Sequence, residues 1–181
     1  MISRPAELRP IIVTTPDFTF ESSLGVVVFD RDDTLINDCG QHNNQALMDF
    51  NDGAIRTLRL IIQMGYGTAL ATNQSGLATG KFTLETMNAF HQNMQEGLMK
   101  FVGKPLDVLA ICPHSKEVSC KCRKPETGLF QAIESVLDAK VVLFIGNSES
   151  DIEAAQNHGV DAILFRESEL RQSINEWLGI L

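Results

Sequence analysis

Apolar runs that stop abruptly on polar residues recur along this chain. They alternate with stretches whose apolar residues return every three or four positions. The clearest run is Val26–Phe29, three β-branched residues and a phenylalanine leading into Asp30, Arg31, Asp32, Asp33 and Thr34. Such a run, without alternation, reads as a strand covered on both faces in a parallel sheet. Comparable runs occupy 68–72, 106–111, 141–145 and 162–165. Between them, Ile55, Leu58, Ile61 and Ile62 predict a helix N-capped at Asp52 and ended by Gly65 and Gly67. Leu84, Met87, Phe90, Met94 and Leu98 predict a second, capped by Thr83, with that stripe facing the core. Further helices are expected over 126–137, in a short stretch closing at Gly159, and around Trp177. The alternation predicts an α/β fold, a three-layer, doubly wound and mostly parallel sheet. Residues 25–181 read as one domain. Residues 1–24, with three prolines and little periodicity, read as an N-terminal extension holding a candidate edge strand at 11–15.

In open α/β sheets, ligands bind at the carboxyl ends of the strands. Here those ends carry Asp30 and Asp32, Thr72 and Asn73, Lys124 past a loop, and Asn147 with Asp151. Extended geometry through Asp32 would put both carboxylates on one side and Arg31 opposite. Two close acids repel unless a cation lies between them or one holds a proton. A solvated acidic turn is the competing reading of an isolated D-x-D-x-T; several polar strand ends meeting on one edge favour a site. Carboxylate and amide oxygens suit Mg²⁺. A hydroxyl, an amide, a lysine and the fork of Arg123 suit phosphate oxygens. The combination points to phosphoryl chemistry with a carboxylate as nucleophile.

Cys112, His114, Cys120 and Cys122 form a second constellation. Three thiolates and one imidazole in so short a span match a closed, structural Zn²⁺ site. It would pin the loop that delivers Arg123 and Lys124. Cys39 is then left as a free thiol. His42, His91 and His158 read as surface or cap residues, and the acids of 149–153 as the first turn of a helix, where negative charge is favoured.

At 181 residues, 44% hydrophobic and 21% charged, the chain is long enough for one domain with a real core. A net charge of −8 argues against a nucleic-acid scaffold or a binder of acidic membranes. No apolar run approaches the ~20 residues of a membrane span. The N-terminal residues lack the apolar region of a signal peptide. Clustered thiols suit a metal site in a reducing compartment. The expectation is a cytoplasmic monomer or small homo-oligomer, acting on a small molecule rather than on nucleic acid or membrane.

FDRDDTL, Thr72, Lys124 and GNSESD together resemble the four motifs of the haloacid dehalogenase superfamily of phosphohydrolases. NQSGLATGKFT and CPHSKEVSCKCRKP resemble the branch that contains heptose 1,7-bisphosphate and histidinol-phosphate phosphatases. The resemblance implies that Asp30 attacks phosphorus and that Asp32 serves as acid, then base. Thr72 and Lys124 would hold the phosphoryl oxygens. Mg²⁺ would sit on Asp30, the Asp32 carbonyl and a fourth-motif side chain, Asn147 or Asp151. Substrate contacts would fall on Asp38, Cys39, Gly40 and Gln41, on Asn73, Gln74 and Ser75, and on Arg123. Two departures stand out. Asn147 replaces the usual aspartate, which predicts weaker Mg²⁺ binding unless Asp151 compensates. Asp33 replaces glycine, a change that an aspartate's tolerance of unusual turn geometry accommodates. The stretch between Leu35 and Thr72 is too short for a large cap. The gap from His114 to Cys120 resembles the histidinol-phosphate members, whereas the segment at 73–83 resembles the heptose members. The alternative is a binding module for phosphosugars that kept the fold and lost turnover.

Overall fold

The computed structural model describes residues 8–14, 20–37 and 48–180. Its centre is a six-stranded sheet, built from β1 (Ile11–Thr14), β2 (Val26–Phe29), β3 (Gly67–Asn73), β4 (Val108–Cys112), β5 (Val141–Gly146) and β6 (Asp161–Leu164). The order across the sheet is β1-β4-β3-β2-β5-β6. Every pairing is parallel except that of β1, which runs antiparallel to β4 at the edge. The edge strand expected at 11–15 is therefore present, and it joins the main sheet.

β2 lies between two parallel neighbours and is fully buried, as its unalternating sequence requires. Its side chains still divide by face. Val27 and Phe29 pack with Leu58 and Ile61 of α1 (Asp52–Gln63), Met87, Met94 and Leu98 of α2 (Leu84–Val102), and Leu170 and Ile174 of α5 (Glu167–Leu178). Val26 and Val28 pack with Leu129, Phe130 and Ile133 of α3 (Gly128–Leu137) and with Ala154 and Ala155 of α4 (Glu149–His158). Two helical layers on one sheet make the three-layer architecture that the alternation predicts. On the α3–α4 side the sheet presents Ala69, Ala71 and Ala110, small residues that admit Phe130 and Phe144, packed edge to face at 4.9 Å.

Local signals hold to within a residue or two. The α1 cap is Asn51, one residue before the expected Asp52; its side chain accepts from Gly53 N, and Asp52 lies in the first turn. Thr83 caps α2 by accepting from Thr86 N. Leu84 is 47% exposed, so the core stripe of α2 begins at Met87. Among the described residues α1 is the only helix between β2 and β3, and no large cap covers the strand ends. Among the described residues, no helix is long and apolar enough to cross a membrane.

Candidate active site

Asp30 directly follows β2, and its N–H still donates to Ile145 O at 2.8 Å, in register with β5. The chain then turns. The amides of Leu35 and Ile36 both donate to Arg31 O at 3.0 Å. Asp33 takes φ +55°, a left-handed geometry that aspartate adopts more readily than most residues, which is why it can stand in glycine's place.

Lys124 reaches this turn from the loop after β4. Its Nζ lies 2.6 Å from Asp30 Oδ1, 2.8 Å from Ala71 O and 2.6 Å from Asp151 Oδ1. The last contact is an ion pair whose direction falls outside hydrogen-bond geometry. Burial alone would lower the Lys124 pKa, but the two carboxylates outweigh it and hold the ammonium above the ordinary lysine value. Burial also dominates at Asp30, pushing its carboxyl up to about 6 against the opposing pull of Lys124. The other Asp151 oxygen accepts from Ser148 N at 3.0 Å and Ser148 Oγ at 2.7 Å, closing the first turn of α4. Asp151 thus faces Lys124 with one oxygen and closes the first turn of α4 with the other. Gly146 makes room for it, because a Cβ there would lie 2.5 Å from Asp151 Cβ.

Asp32 belongs to a second network. Arg31 donates to it from Nε, 2.9 Å to Oδ1, and from one terminal nitrogen, 3.2 Å to Oδ2. Gln74 Nε2 donates to Asp32 Oδ2 at 2.7 Å and to Thr72 Oγ1 at 2.9 Å. The expected placement of Arg31 away from both acids is therefore wrong. Period-two geometry ends at Phe29, and the turn folds the fully buried guanidinium back onto its neighbour. His91 is not a surface or cap residue either. It is 2% exposed, and its Nε2 lies 3.1 Å from Arg31. Burial, then the nearby Arg31 charge, pushes its pKa down to about 3.

The strand ends that carry Asp30, Asp32, Thr72 and Lys124 thus converge through a continuous set of contacts. Asn73 joins in differently from expectation. Its amide pairs with the backbone of Lys124, donating to O at 3.2 Å and accepting from N at 3.1 Å. Gln74 is buried within the Asp32 network, and Ser75 follows at the tip. Arg123 is half-buried and donates to His114 O at 3.1 Å. Asn147 follows the last residue of β5. Asp38, Cys39, Gly40, Gln41 and His42 lie outside the described residues. Sequence reasoning missed Arg31 and His91; only the bare charge of Arg31 between two acids hinted at the first, and nothing signalled the second.

The four ligand atoms of Cys112, His114, Cys120 and Cys122 all lie within 4.8 Å of one another, and all four residues are buried. Sulfur–sulfur separations are 3.8 Å for Cys112–Cys120 and 3.7 Å for Cys122–Cys120. His114 Nδ1 stands 3.4 and 3.2 Å from the Cys112 and Cys122 sulfurs. Zn–S bonds of about 2.3 Å in a tetrahedron imply S–S edges of about 3.8 Å. The cluster has the dimensions of a zinc site. Its thiols share protons unevenly: hydrogen bonding from Cys122 pushes Cys112 down to about 5, and Cys122 is pushed up in turn.

A family model described as "Polynucleotide kinase 3 phosphatase" matches residues 25–161, from the start of β2 to the start of β6. The chain belongs to this family. The polynucleotide kinase 3 phosphatase family places it among the haloacid dehalogenase-type phosphatases. Among its relatives, the D-glycero-β-D-manno-heptose-1,7-bisphosphate 7-phosphatase of Pseudomonas putida is 33% identical over 116 residues, 63% of this chain and 66% of that one. The histidine biosynthesis bifunctional protein HisB of Campylobacter jejuni is 30% identical over 158 residues, 84% of this chain and 45% of that one. The matches thus span about two thirds of the first relative's length and less than half of the second's. A solved structure, the D,D-heptose 1,7-bisphosphate phosphatase of B. bronchiseptica complexed with magnesium and phosphate, superposes with a TM-score of 0.71 at 30% identity. That match covers 77% of this chain and 79% of the other.

Proposed function

We propose that this chain is a Mg²⁺-dependent phosphomonoester hydrolase working through a phosphoaspartate, with a heptose 1,7-bisphosphate as substrate. The observation that carries the reading is the bridge at Lys124, which ties the candidate nucleophile Asp30 to Asp151 while Asp32 and Thr72 share Gln74 alongside. The substrate is supported by the names and structure of the heptose phosphatase relatives.

A free Asp30 oxygen attacks phosphorus, and the bond to the leaving alkoxide breaks as Asp32 passes it a proton. A water oxygen then attacks the phosphoaspartate. Asp32 takes the water's proton, and the P–O bond to Asp30 breaks to release inorganic phosphate. Lys124 and the Thr72 hydroxyl hold the transferring oxygens, and Arg123 stands at the rim for a second anionic group of the substrate.

The donor set fits Mg²⁺. Asp30, the Asp32 carbonyl and the Asn147 amide oxygen are all hard oxygens. A carboxyl pushed up to about 6 by burial also has room for a cation that would return it to its ionised form. Bound there, Mg²⁺ would neutralise phosphate charge. Zn²⁺ on the Cys/His cluster would hold the loop that carries Arg123 and Lys124. The same thiol cluster supports a reducing, cytoplasmic location.

The test is phosphate release from the heptose bisphosphate and from histidinol phosphate, with and without Mg²⁺, by the wild type and Asp30→Asn. Mg²⁺-dependent release from the heptose substrate, lost in the variant, is the expected result. Preference for histidinol phosphate would favour a second reading, supported by the match to HisB over 84% of the chain and the short gap from His114 to Cys120. Binding without turnover of either substrate would leave the phosphosugar-binding module.

A further inference from the structure

Arg31 is the largest fully buried side chain among the described residues, and its charge sits one position from each of two acids. Its guanidinium is gripped from several sides. Gln74 Oε1 accepts from it at 2.9 Å, His91 Nε2 stands at 3.1 Å, and the Phe90 ring lies 5.0 Å beneath its central carbon. Arginine has no acceptor, so His91 Nε2 must offer its lone pair, and the proton of the neutral ring resides on Nδ1. That N–H is buried and has no partner among the described residues. A leucine in its place would avoid the cost of an unsatisfied donor, so packing alone does not account for a histidine here. The contact it makes with Arg31 does.

On its other side the guanidinium meets Asp32 through two nitrogens, the fork geometry that fixes a carboxylate's plane as well as its position. Gln74 adds a third donor to Asp32, and its amide orientation is set by Arg31 at the oxygen and by Thr72 and Asp32 at the nitrogen. The Asp32 side chain keeps 20% of its surface exposed even though the network engages both of its oxygens. We propose that His91 and Arg31 are positioning residues, a buried relay from α2 that sets the Asp32 carboxylate for proton transfer to the leaving alcohol and from the attacking water. Neither touches substrate. The proposal rests on the reading of Asp32 as acid and base.

A relay acting through Asp32 affects steps in proportion to their need for a proton. An alkoxide leaving group needs one; a nitrophenolate departs without it. The experiment compares single-turnover phosphorylation of the enzyme by p-nitrophenyl phosphate with that by the alkyl phosphate that turns over, heptose bisphosphate or histidinol phosphate. In His91→Leu, the ratio of nitrophenyl to alkyl rates should rise about tenfold or more, within the range that general acid catalysis contributes. Asp32→Asn should raise it further, and the double variant should match Asp32→Asn alone, because a relay has nothing left to position. His91→Gln, whose amide oxygen can accept from Arg31, should recover most of the wild-type ratio.

Equal losses on both substrates, adding to those of Asp32→Asn, would overturn the relay and leave the two residues as packing. Should Asp32→Asn itself show no leaving-group dependence, or no alkyl phosphate react, the underlying reading falls and takes the relay with it. An Asp32→Asn effect without a His91→Leu effect removes the relay only.

Discussion

The Lys124 ammonium stands 2.6 Å from the Asp30 carboxylate, although 94 positions separate them in the chain. One residue ends a central strand, and the other arrives on a loop fastened by a cluster of sulfurs. Removing the lysine leaves Asp30 and Asp151 buried without a cation. Lys124→Met should therefore cost about 3–5 kcal/mol, the range for breaking a buried pair, and should abolish turnover. Denaturant unfolding and phosphate release measure the two effects.

Asp30 sets an unusual pH dependence. Its carboxyl titrates at about 6 in the folded chain against 3.8 ordinarily, so between those values the folded state binds more protons than the unfolded one. Its contribution is fully present below about pH 4 and is lost as pH rises through 6, a change of about 3 kcal/mol at most. Lys124 does not alter that window, since its pKa is raised from an already high value. Melting temperature measured between pH 4 and 7 in metal-free protein should fall by several degrees. Asp30→Asn should flatten the profile.

Metal analysis of the purified protein should find about one equivalent of zinc, lost in Cys120→Ser and Cys122→Ser. The variants should also melt lower and lose activity. Arg123 hangs on His114 O, and Lys124 follows it directly in the chain.

At the proposed Mg²⁺ site, Asn147 would supply no charge, and Asp151 meets Lys124 and Ser148. Asn147→Asp adds the missing carboxylate. The dissociation constant for Mg²⁺, read by calorimetry, should fall by about tenfold or more, since ligand charge governs affinity at oxygen sites. An unchanged constant would show that Asn147 lies off the metal.

Crowding at Gly146 is equally open to test. Gly146→Ala puts a methyl 2.5 Å from Asp151 Cβ and should cost about 1–3 kcal/mol, with turnover reduced as Lys124 loses an anchor. Thermal unfolding and kcat report on each.

The strands were legible because each is a short apolar run with a polar end; their order across the sheet is set by tertiary pairing and was not. Asp30 was legible for the same reason, standing at the end of β2, and Lys124 was legible as the basic residue of the loop that follows β4. What escaped was whatever depends on a side chain bending across the fold. Arg31 reads as pointing away from Asp32 on any extended template, but the backbone turns one residue after the strand. His91 lies 60 positions from Arg31, and nothing in the spacing of α2 distinguishes a histidine that meets a buried charge from one that meets water. Asp151 could be read as a first-turn acid of α4, where Ser148 meets it locally, but its contact with Lys124 is tertiary and left no mark in the spacing. Asn51 displaced Asp52 as the α1 cap by a single position, a difference that two neighbouring cap-forming residues leave undecided.

The Cys/His loop is tied down at both of its ends. Cys112 O, at its start, accepts the backbone N–H of Gln74, the residue that steadies Asp32 and Thr72. Just beyond its finish, Lys124 interlocks with Asn73. One rivet thus secures both halves of the proposed catalytic apparatus, the half assigned to proton transfer and the half assigned to phosphate. Oxidising its sulfurs would unfasten the two together, so damage at this knot should silence the protein in a single step rather than by degrees.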